Sequence, residues 1–369
     1  MKEKIDRLTE NLDFTLLFAV MFLCFYGLLI LYSSTRLAVT AGNDPYFFVK
    51  KQSLWALTGF LFLIIITFID YHEFMGYSKV IYFGAIILLI LVIISGRSTY
   101  GATRWLAIGP FDFQPSEFAK IALIIFLADF LAKNKPKLDN IFYYLLPFAY
   151  TGLLILLVFV QPDLGTSLVY LAILIIMLFV IGVKIKYLVF TFLAALSSVP
   201  VLWTFLKDYQ KNRLILFLNP NQDPLGGGYN VIQSRIAIGS GGFLGNGIFS
   251  GLQSQLNFLP AQHTDFIFSV VGEELGFVGT ILLLGLYAII LWRGIKIAYD
   301  ARDLLGTLLA TGAASFLFFH IVVNIGMAMG MLPATGLPLP FLSYGGSFMI
   351  SNLIVVGILL NVELHKVKW

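Results

Sequence analysis

Charge is what this sequence has least of. Asp, Glu, Lys and Arg make up 12% of its 369 residues, while 59% are hydrophobic. Soluble domains carry roughly 25% charged residues, and the mean hydropathy of +0.89 excludes a water-soluble globule and marks a polytopic membrane protein. Cysteine is reduced to Cys24, inside an apolar run, so no intramolecular disulfide can form and no compartment can be read from it. No cluster of His and Cys has metal-ligand spacing. A cleavable leader is not expected either. The first apolar stretch, Phe14 to Tyr32, is too long for a signal-peptide core, and no small-residue cleavage pattern follows it, so it reads as a first span.

What the chain does have is long apolar runs. Stretches long enough to cross a bilayer, roughly 17–25 residues, fall near 14–34, 53–70, 77–95, 116–132, 142–160, 166–183, 186–206, 266–291, 305–331 and 346–363. Alternating sides from a cytoplasmic N-terminus with Lys2, Lys4 and Arg7, the same face receives Lys133, Lys135 and Lys137, then Lys184 and Lys186, then Arg293, Lys296 and Arg302, then Lys366 and Lys368. That bias obeys the positive-inside rule. The expected fold is an all-α integral membrane protein of about ten transmembrane helices in one domain over 1–369. Both termini are cytoplasmic, and a long extracytoplasmic loop, about 207–265, joins spans seven and eight.

The outer face holds the unusual sequence. From Gln253 to Gly276, QSQLNFLPAQHTDFIFSVVGEELG, a polar segment runs straight into an apolar one, with Asp265 at the junction and Glu273 and Glu274 inside the run. A carboxylate at membrane depth is costly unless paired, solvated or facing a cavity, so its default reading is functional. The plain alternative is that Thr264 or Asp265 caps the helix. At least one of Glu273 and Glu274 is expected to point into the bundle, with a basic residue of another span as the candidate partner. The long loop carries Lys207, Lys211 and Arg213, a turn-rich NPNQDPLGGG at 219–228, and GYNVIQSRIAIGSGG. In the last, Tyr229, Ile232 and Ile236 recur at helical spacing, while Gln233 and Arg235 point elsewhere, which predicts an amphipathic helix on the outer leaflet. Glycines over 239–251 allow a close backbone approach. The segment MLPATGLPLPFLSYGGS, 331–347, holds three prolines and three glycines. It cannot continue a helix, and it points to a re-entrant or cavity-lining loop, with an ordinary tight outer loop as the alternative. In STYGATRWLAIGPFDFQPSEFAK, 98–120, Glu117 and Lys120 share a helix face and can pair. Asp163, in QPDLG, is placed to cap the next span.

Taken together, RWLAIGPFDFQPSEFAK, QPDLG, the stretch from Asp208 through Arg213 to Pro220, GSGG, LPAQHTDFIFSVVGEELG and PATGLPLPFLSYGGS resemble, in order, the signature blocks of the SEDS family (shape, elongation, division and sporulation). GYNVIQSRIAIGSGG and QSQLNFLPAQHTDF look more like its elongation branch, RodA, than its division branch, FtsW. The resemblance implies a peptidoglycan glycosyltransferase that polymerises lipid II on the outer face of the bacterial cytoplasmic membrane, with a class B penicillin-binding protein as transpeptidase partner. It also implies that Asp265 matches the essential acidic residue, that Glu117 and Lys120 match a membrane-embedded pair, and that Asp163 and Arg213 match further polar positions. Ser343, in SYGGS, is grouped with the substrate-binding candidates.

The implied chemistry suits these residue types. A sugar hydroxyl attacks an anomeric carbon while a lipid pyrophosphate leaves, a single inverting displacement that needs a base, which is assigned to Asp265. The leaving group needs positive charge, for which Lys120, Arg213 and Arg235 are candidates, each with the alternative of a solvated or headgroup-facing role. A divalent cation, Mg or Mn, would be held by carboxylates and pyrophosphate oxygens. His263 reads as a surface or hydrogen-bonded neighbour of Asp265. Membrane lipids surround the chain, and no nucleic-acid partner is expected. The rival readings are a lipid II flippase and a scaffold for a cell-wall complex.

Overall fold

A computed structural model describes residues 12–36, 44–99, 102–109, 111–205, 208–219, 222–224, 226, 228–256 and 258–366. In chain order its elements are α1 Phe14–Thr35, α2 Phe47–Phe68, α3 Tyr71–Met75, α4 Ser78–Ser95, strands β1 Arg97–Thr99, β2 Ala102–Ile108 and β3 Phe111–Phe113, α5 Pro115–Asn134, α6 Ile141–Val160, α7 Leu164–Val180, α8 Ile185–Phe205, α9 Asp208–Leu218, α10 Tyr229–Ser240, α11 Leu252–Gln255, α12 Ile267–Asp300, α13 Leu304–Ala328 and α14 Gly346–Leu364. Each expected run falls on a long helix. Seven of these (α1, α2, α4, α6, α12, α13 and α14) are long and apolar enough to cross a membrane, and α7 and the Ile185–Pro200 part of α8 are shorter apolar helices. The fold is not purely α. Residues 97–113 form an antiparallel sheet of order β1-β2-β3, where the apolar pattern alone gave no strand signal. α2 also begins well before the expected run, because Lys50, Lys51 and Gln52 are helical although polar.

Burial sorts the helices. The apolar window of α14 is 94% buried and that of α13 72%, against 28% for α2, α4, α6 and α12. α14 packs along α2, and α13 touches α5, α7, α12 and α14, so α13 and α14 form the centre. Outward faces stay apolar, with Leu57, Val80, Ile94, Phe142 and Phe190 all exposed, as lipid contact requires.

Contacts define two ends of the bundle. At one, Ser33 and Ser34 of α1, Gln52 of α2, Gln114 before α5 and the residues before α12 and α14 meet. At the other, Asn361 of α14 donates to the carbonyls of Ile66 and Thr67 at the end of α2, and Arg293 pairs with Asp13. His72 on α3 belongs to this second end. Its Nδ1 lies 2.8 Å from Asp70 Oδ1 and its Nε2 2.8 Å from Asp303 Oδ2, and Asp303 in turn caps α13 through the Gly306 amide at 2.7 Å.

α12 is broken at Gly276, whose φ of 60° and ψ of −154° are non-helical. The glycine-rich stretch after α10 fills the break. Asn246 and Gly247 donate to the carbonyls of Glu273 and Glu274 at 3.0 Å each, and Phe277 and Val278 donate to Gly242 and Phe243 at 2.9 and 3.2 Å. The kink frees backbone groups that cannot be left bare in a bundle interior, and a strand-like turn takes them. The expected close approach over 239–251 is made here. The buried face of α10, however, is Ser234 and Ala237, while Ile236 is exposed. Ser234 Oγ sits 2.6 Å from both Ser269 Oγ and the Ala328 carbonyl, so a small-residue face docks on α12 and α13 and leaves Ile236 of the apolar stripe on the outside.

Two outcomes follow. Gly276→Ala would force a side chain onto a left-handed backbone and drive its Cβ into the Gly245 amide, so thermal melting in detergent should show a loss of about 1–3 kcal/mol. For His72, burial disfavours the charged ring, but the Asp70 and Asp303 carboxylates outweigh that and raise its pKa above the ordinary value of 6.5. A raised folded pKa means the stabilisation is full below about pH 6.5 and fades as pH climbs through the folded value. The melting difference between the parent and His72→Phe should therefore shrink from pH 6 to pH 8.5.

Candidate active site

Asp265 stands in a tight turn just ahead of α12. The Ala261 carbonyl accepts from the amides of Thr264, Asp265 and Phe266 at 3.1, 3.0 and 3.3 Å, and Ala261 itself has φ 53°, a strained conformation that surrounding structure must over-determine. The N-cap of α12 is Phe266, with no side-chain cap bond, so Asp265 lies one residue before the cap and the capping alternative is not what the helix start shows. Its carboxylate faces Gly336, where an added Cβ would lie 3.5 Å from Oδ2.

The turn is fastened by the proline-rich segment between α13 and α14, which is non-helical and buried at Leu337, Leu339, Phe341, Leu342 and Ser343, covered by protein as non-helical backbone in a bundle must be. Ser343 Oγ donates to the Thr264 carbonyl at 2.5 Å and accepts from the Leu339 amide at 2.8 Å. The Tyr344 amide donates to the His263 carbonyl at 2.9 Å. Asn324 on α13 donates to the carbonyls of Asp265 and Leu337, both at 2.8 Å. Gln52 on α2 donates to the Ser343 carbonyl at 3.1 Å and accepts from the Gly345 amide at 3.1 Å. His263 packs between the rings of Phe48 and Tyr344, and burial lowers its pKa, so it is a packed, neutral neighbour at pH 7.

A second polar group lies deeper. Lys120 Nζ donates to Glu117 Oε1 at 2.8 Å and lies 3.0 Å from His320 Nε2, while His320 Nδ1 lies 3.2 Å from the Pro338 carbonyl. Ser351 Oγ sits 3.3 Å from the other Glu117 oxygen. Lys120 is completely buried, and Phe316 and Phe348 present their rings to its ammonium at 5.1 and 5.8 Å, a favourable desolvated cation–π setting. The pair is thus satisfied on every side, and through Pro338 it joins the loop that holds Asp265. The start of α7 meets the same loop at Gly165, where an added Cβ would press on the Thr335 carbonyl, and Asp163 lies two residues before it. It caps α7 through the Thr166 amide and hydroxyl at 3.2 and 3.0 Å, and Arg104 of β2 reaches it at 3.7 Å while bonding the Gln161 and Pro162 carbonyls.

The family model for the cell cycle proteins FtsW, RodA and SpoVE matches residues 14–368. The chain belongs to the FtsW/RodA/SpoVE family. It is 40% identical over 361 residues to a probable peptidoglycan glycosyltransferase FtsW of Geobacter sp. (strain M18), covering 97% of this chain and 98% of that one. It is 38% identical over 366 residues to the peptidoglycan glycosyltransferase MrdB of Escherichia coli (strain K12), covering 96% and 94%. A solved chain from a peptidoglycan synthase complex that coordinates polymerisation and crosslinking superposes with a TM-score of 0.81 at 34% identity, over 95% of this chain and 97% of that one. RodA of Thermus thermophilus superposes at 0.72 with 31% identity, over 97% and 98%. As a member of this family with seven membrane-length apolar helices among the described residues, the protein is a multi-pass protein of the bacterial cytoplasmic membrane.

Within this FtsW/RodA/SpoVE protein the structure gathers Glu117, Lys120, Ser343 and Asp265 into one network, and Asp163 caps α7, whose first turn packs on the loop at Gly165. Arg235 is exposed on α10 with its stem beside Gly330. No hydrogen bond or ion pair among the described residues joins it to the network. Arg213 lies on α9, and its side chain is outside the described residues. Glu273 and Glu274 are both buried, but neither meets the expected basic partner. Glu273 accepts from the amides of Gln253 and Ser254 at 2.6 and 3.0 Å, and Glu274 from Ser33 Oγ at 2.5 Å and Gln255 Nε2 at 3.3 Å. Glu273 anchors α11 through backbone amides, and Glu274 ties α1 to α11 through a hydroxyl and a side-chain amide. Sequence reasoning missed His320, Asn324, Gln52 and Arg104. The first two are four residues apart, one turn on α13, and a polar pair at that spacing in an apolar run was the available signal.

Removing one member of the buried pair should cost more than removing both. Lys120→Met leaves Glu117 buried and uncompensated, a loss of about 3–5 kcal/mol. The double variant Glu117→Gln with Lys120→Met should recover most of that loss in detergent melting, with no recovery in activity.

Proposed function

We propose that the protein is a peptidoglycan glycosyltransferase that polymerises lipid II, with Asp265 as the base, on the outer face of the membrane. The relatives at 40% and 38% identity are named a probable peptidoglycan glycosyltransferase and a peptidoglycan glycosyltransferase. The observation that carries the residue assignment is the Asp265 turn, a carboxylate beside a buried loop and held by three separate backbone anchors. A carboxylate so held can take the proton of an attacking 4-hydroxyl. The hydroxyl oxygen forms the bond to the anomeric carbon of the donor, the bond from that carbon to the pyrophosphate oxygen breaks, and the lipid pyrophosphate leaves with the electron pair, inverting the centre.

Lys120, completely buried and committed to Glu117 and His320, fits a positioning part better than contact with the leaving group. Arg235 is an exposed cation on the site-bearing end, and it fits that contact. No three His, Cys, Asp or Glu converge on a metal position among the described residues, so a magnesium or manganese ion would rest on Asp265 and substrate oxygens. Orientation is supported by charge. Lys133 and Arg293 on helices and Lys184, Arg302 and Lys366 between or after them all fall towards the end opposite the site, which suits a cytoplasmic face and cytoplasmic termini. The elongation role rests on the RodA-like blocks around α10 and the Asp265 turn. The partner is a class B penicillin-binding transpeptidase, a reading supported by the likeness to a chain that works in a synthase complex.

Purified lipid II, incubated with the protein and its partner, should give glycan polymer. Asp265→Asn, with unchanged melting and partner binding, should lower the rate by about 10²–10⁴-fold. Equal rates for parent and variant would remove Asp265 from the base role. Lipid II crossing liposomes without polymer would favour a flippase.

A further inference from the structure

His320 is completely buried between the charge pair of α5 and the loop after α13, against the rings of Phe316 and Phe348. Its partners fix its chemistry. The Pro338 carbonyl only accepts, so Nδ1 carries the hydrogen; the Lys120 ammonium only donates, so Nε2 carries the lone pair. One neutral tautomer satisfies both. The charged groups facing the ring are Lys120 and, behind it, Glu117, both on α5. A protonated ring would set a second cation 3.0 Å from the ammonium against a single carboxylate. Pro338 lies between the two residues that lead to the base. Leu337 shares Asn324 with the Asp265 carbonyl, and Leu339 donates to Ser343, which holds Thr264.

We propose that His320 is a positioning residue for polymerisation, a neutral two-ended link that makes the Glu117–Lys120 pair and the loop fastening Asp265 one rigid unit. This rests on the polymerase reading above. The Lys120 bond is the decisive half, because without it the ammonium loses an acceptor it cannot replace in an apolar bundle and the loop loses its tie to α5.

Substitution separates the two ends of the ring. The amide of glutamine reaches the position of Nε2 and can accept from Lys120. The amide of asparagine reaches only the position of Nδ1 and can serve Pro338 alone, and leucine serves neither. In lipid II polymerisation with the partner present, His320→Gln should stay within about threefold of the parent, while His320→Asn and His320→Leu lose about ten- to a hundredfold in kcat with KM within about twofold. Asparagine matching glutamine, or leucine matching the parent, overturns the proposal; if leucine does not fold, asparagine decides. Nitrogen-15 NMR of histidine-labelled protein, with the His320 signal identified by its loss in His320→Gln, reads the tautomer whether or not the parent polymerises. A ring protonated on Nδ1 alone is expected, and a ring protonated on Nε2 or on both nitrogens overturns the link. A parent that makes no polymer while the NMR shows the expected tautomer refutes the polymerase reading and leaves the link standing.

Discussion

A carboxylate and an ammonium can stay charged inside an apolar bundle only when their remaining hydrogen-bonding positions are filled, because desolvation otherwise exceeds their attraction. Glu117 and Lys120 meet that condition through Ser351, His320 and two aromatic faces. These partners come from α13 and α14, the two most enclosed long apolar helices, so satisfying the pair fixes α5 against the centre. The same requirement reaches outward. His320 spends its second nitrogen on the Pro338 carbonyl, and the loop that cannot be helical gains one of its anchors from the pair.

That loop is the mechanical connection between membrane depth and the surface turn. Its prolines deny it helical hydrogen bonds, so its carbonyls and amides are satisfied by side chains instead: Gln52 from α2, Asn324 and His320 from α13, Ser343 from within. Three of those four also lead, in one or two further bonds, to residues 263–265. A base needs its position held against thermal motion more than it needs strength, and here the Thr264 carbonyl is tied to the loop and the Asp265 carbonyl to α13.

The glycines serve a separate need. The break at Gly276 exposes carbonyls and amides that would be costly in the interior, and only a chain without Cβ atoms at Gly241 and Gly245 approaches closely enough to pair with them. Glu273 and Glu274, which look like candidate chemistry in sequence, are used to hold the neighbouring turn to that break. Structural use of buried carboxylates beside a functional one is why burial alone does not identify a base.

The sequence by itself determined the class of protein, the positions of the ten apolar runs, the polar segments at their ends and the residues Asp265, Glu117, Lys120 and Asp163. These are legible because bilayer thickness sets a run length, and because a charge within such a run is costly enough to stand out. The Glu117–Lys120 pairing was legible too, since one helical turn brings neighbours three apart together. Only the tertiary structure decided that His320, Asn324 and Gln52 belong to the same site, for their partners lie far along the chain and are mostly backbone carbonyls, which leave no mark in a sequence. It also decided that α10 buries Ser234 and Ala237 rather than its larger apolar residues, and that 97–113 forms a sheet. In both cases what a face packs against, not its hydrophobicity, sets the outcome, and that neighbour exists only once the helices have assembled.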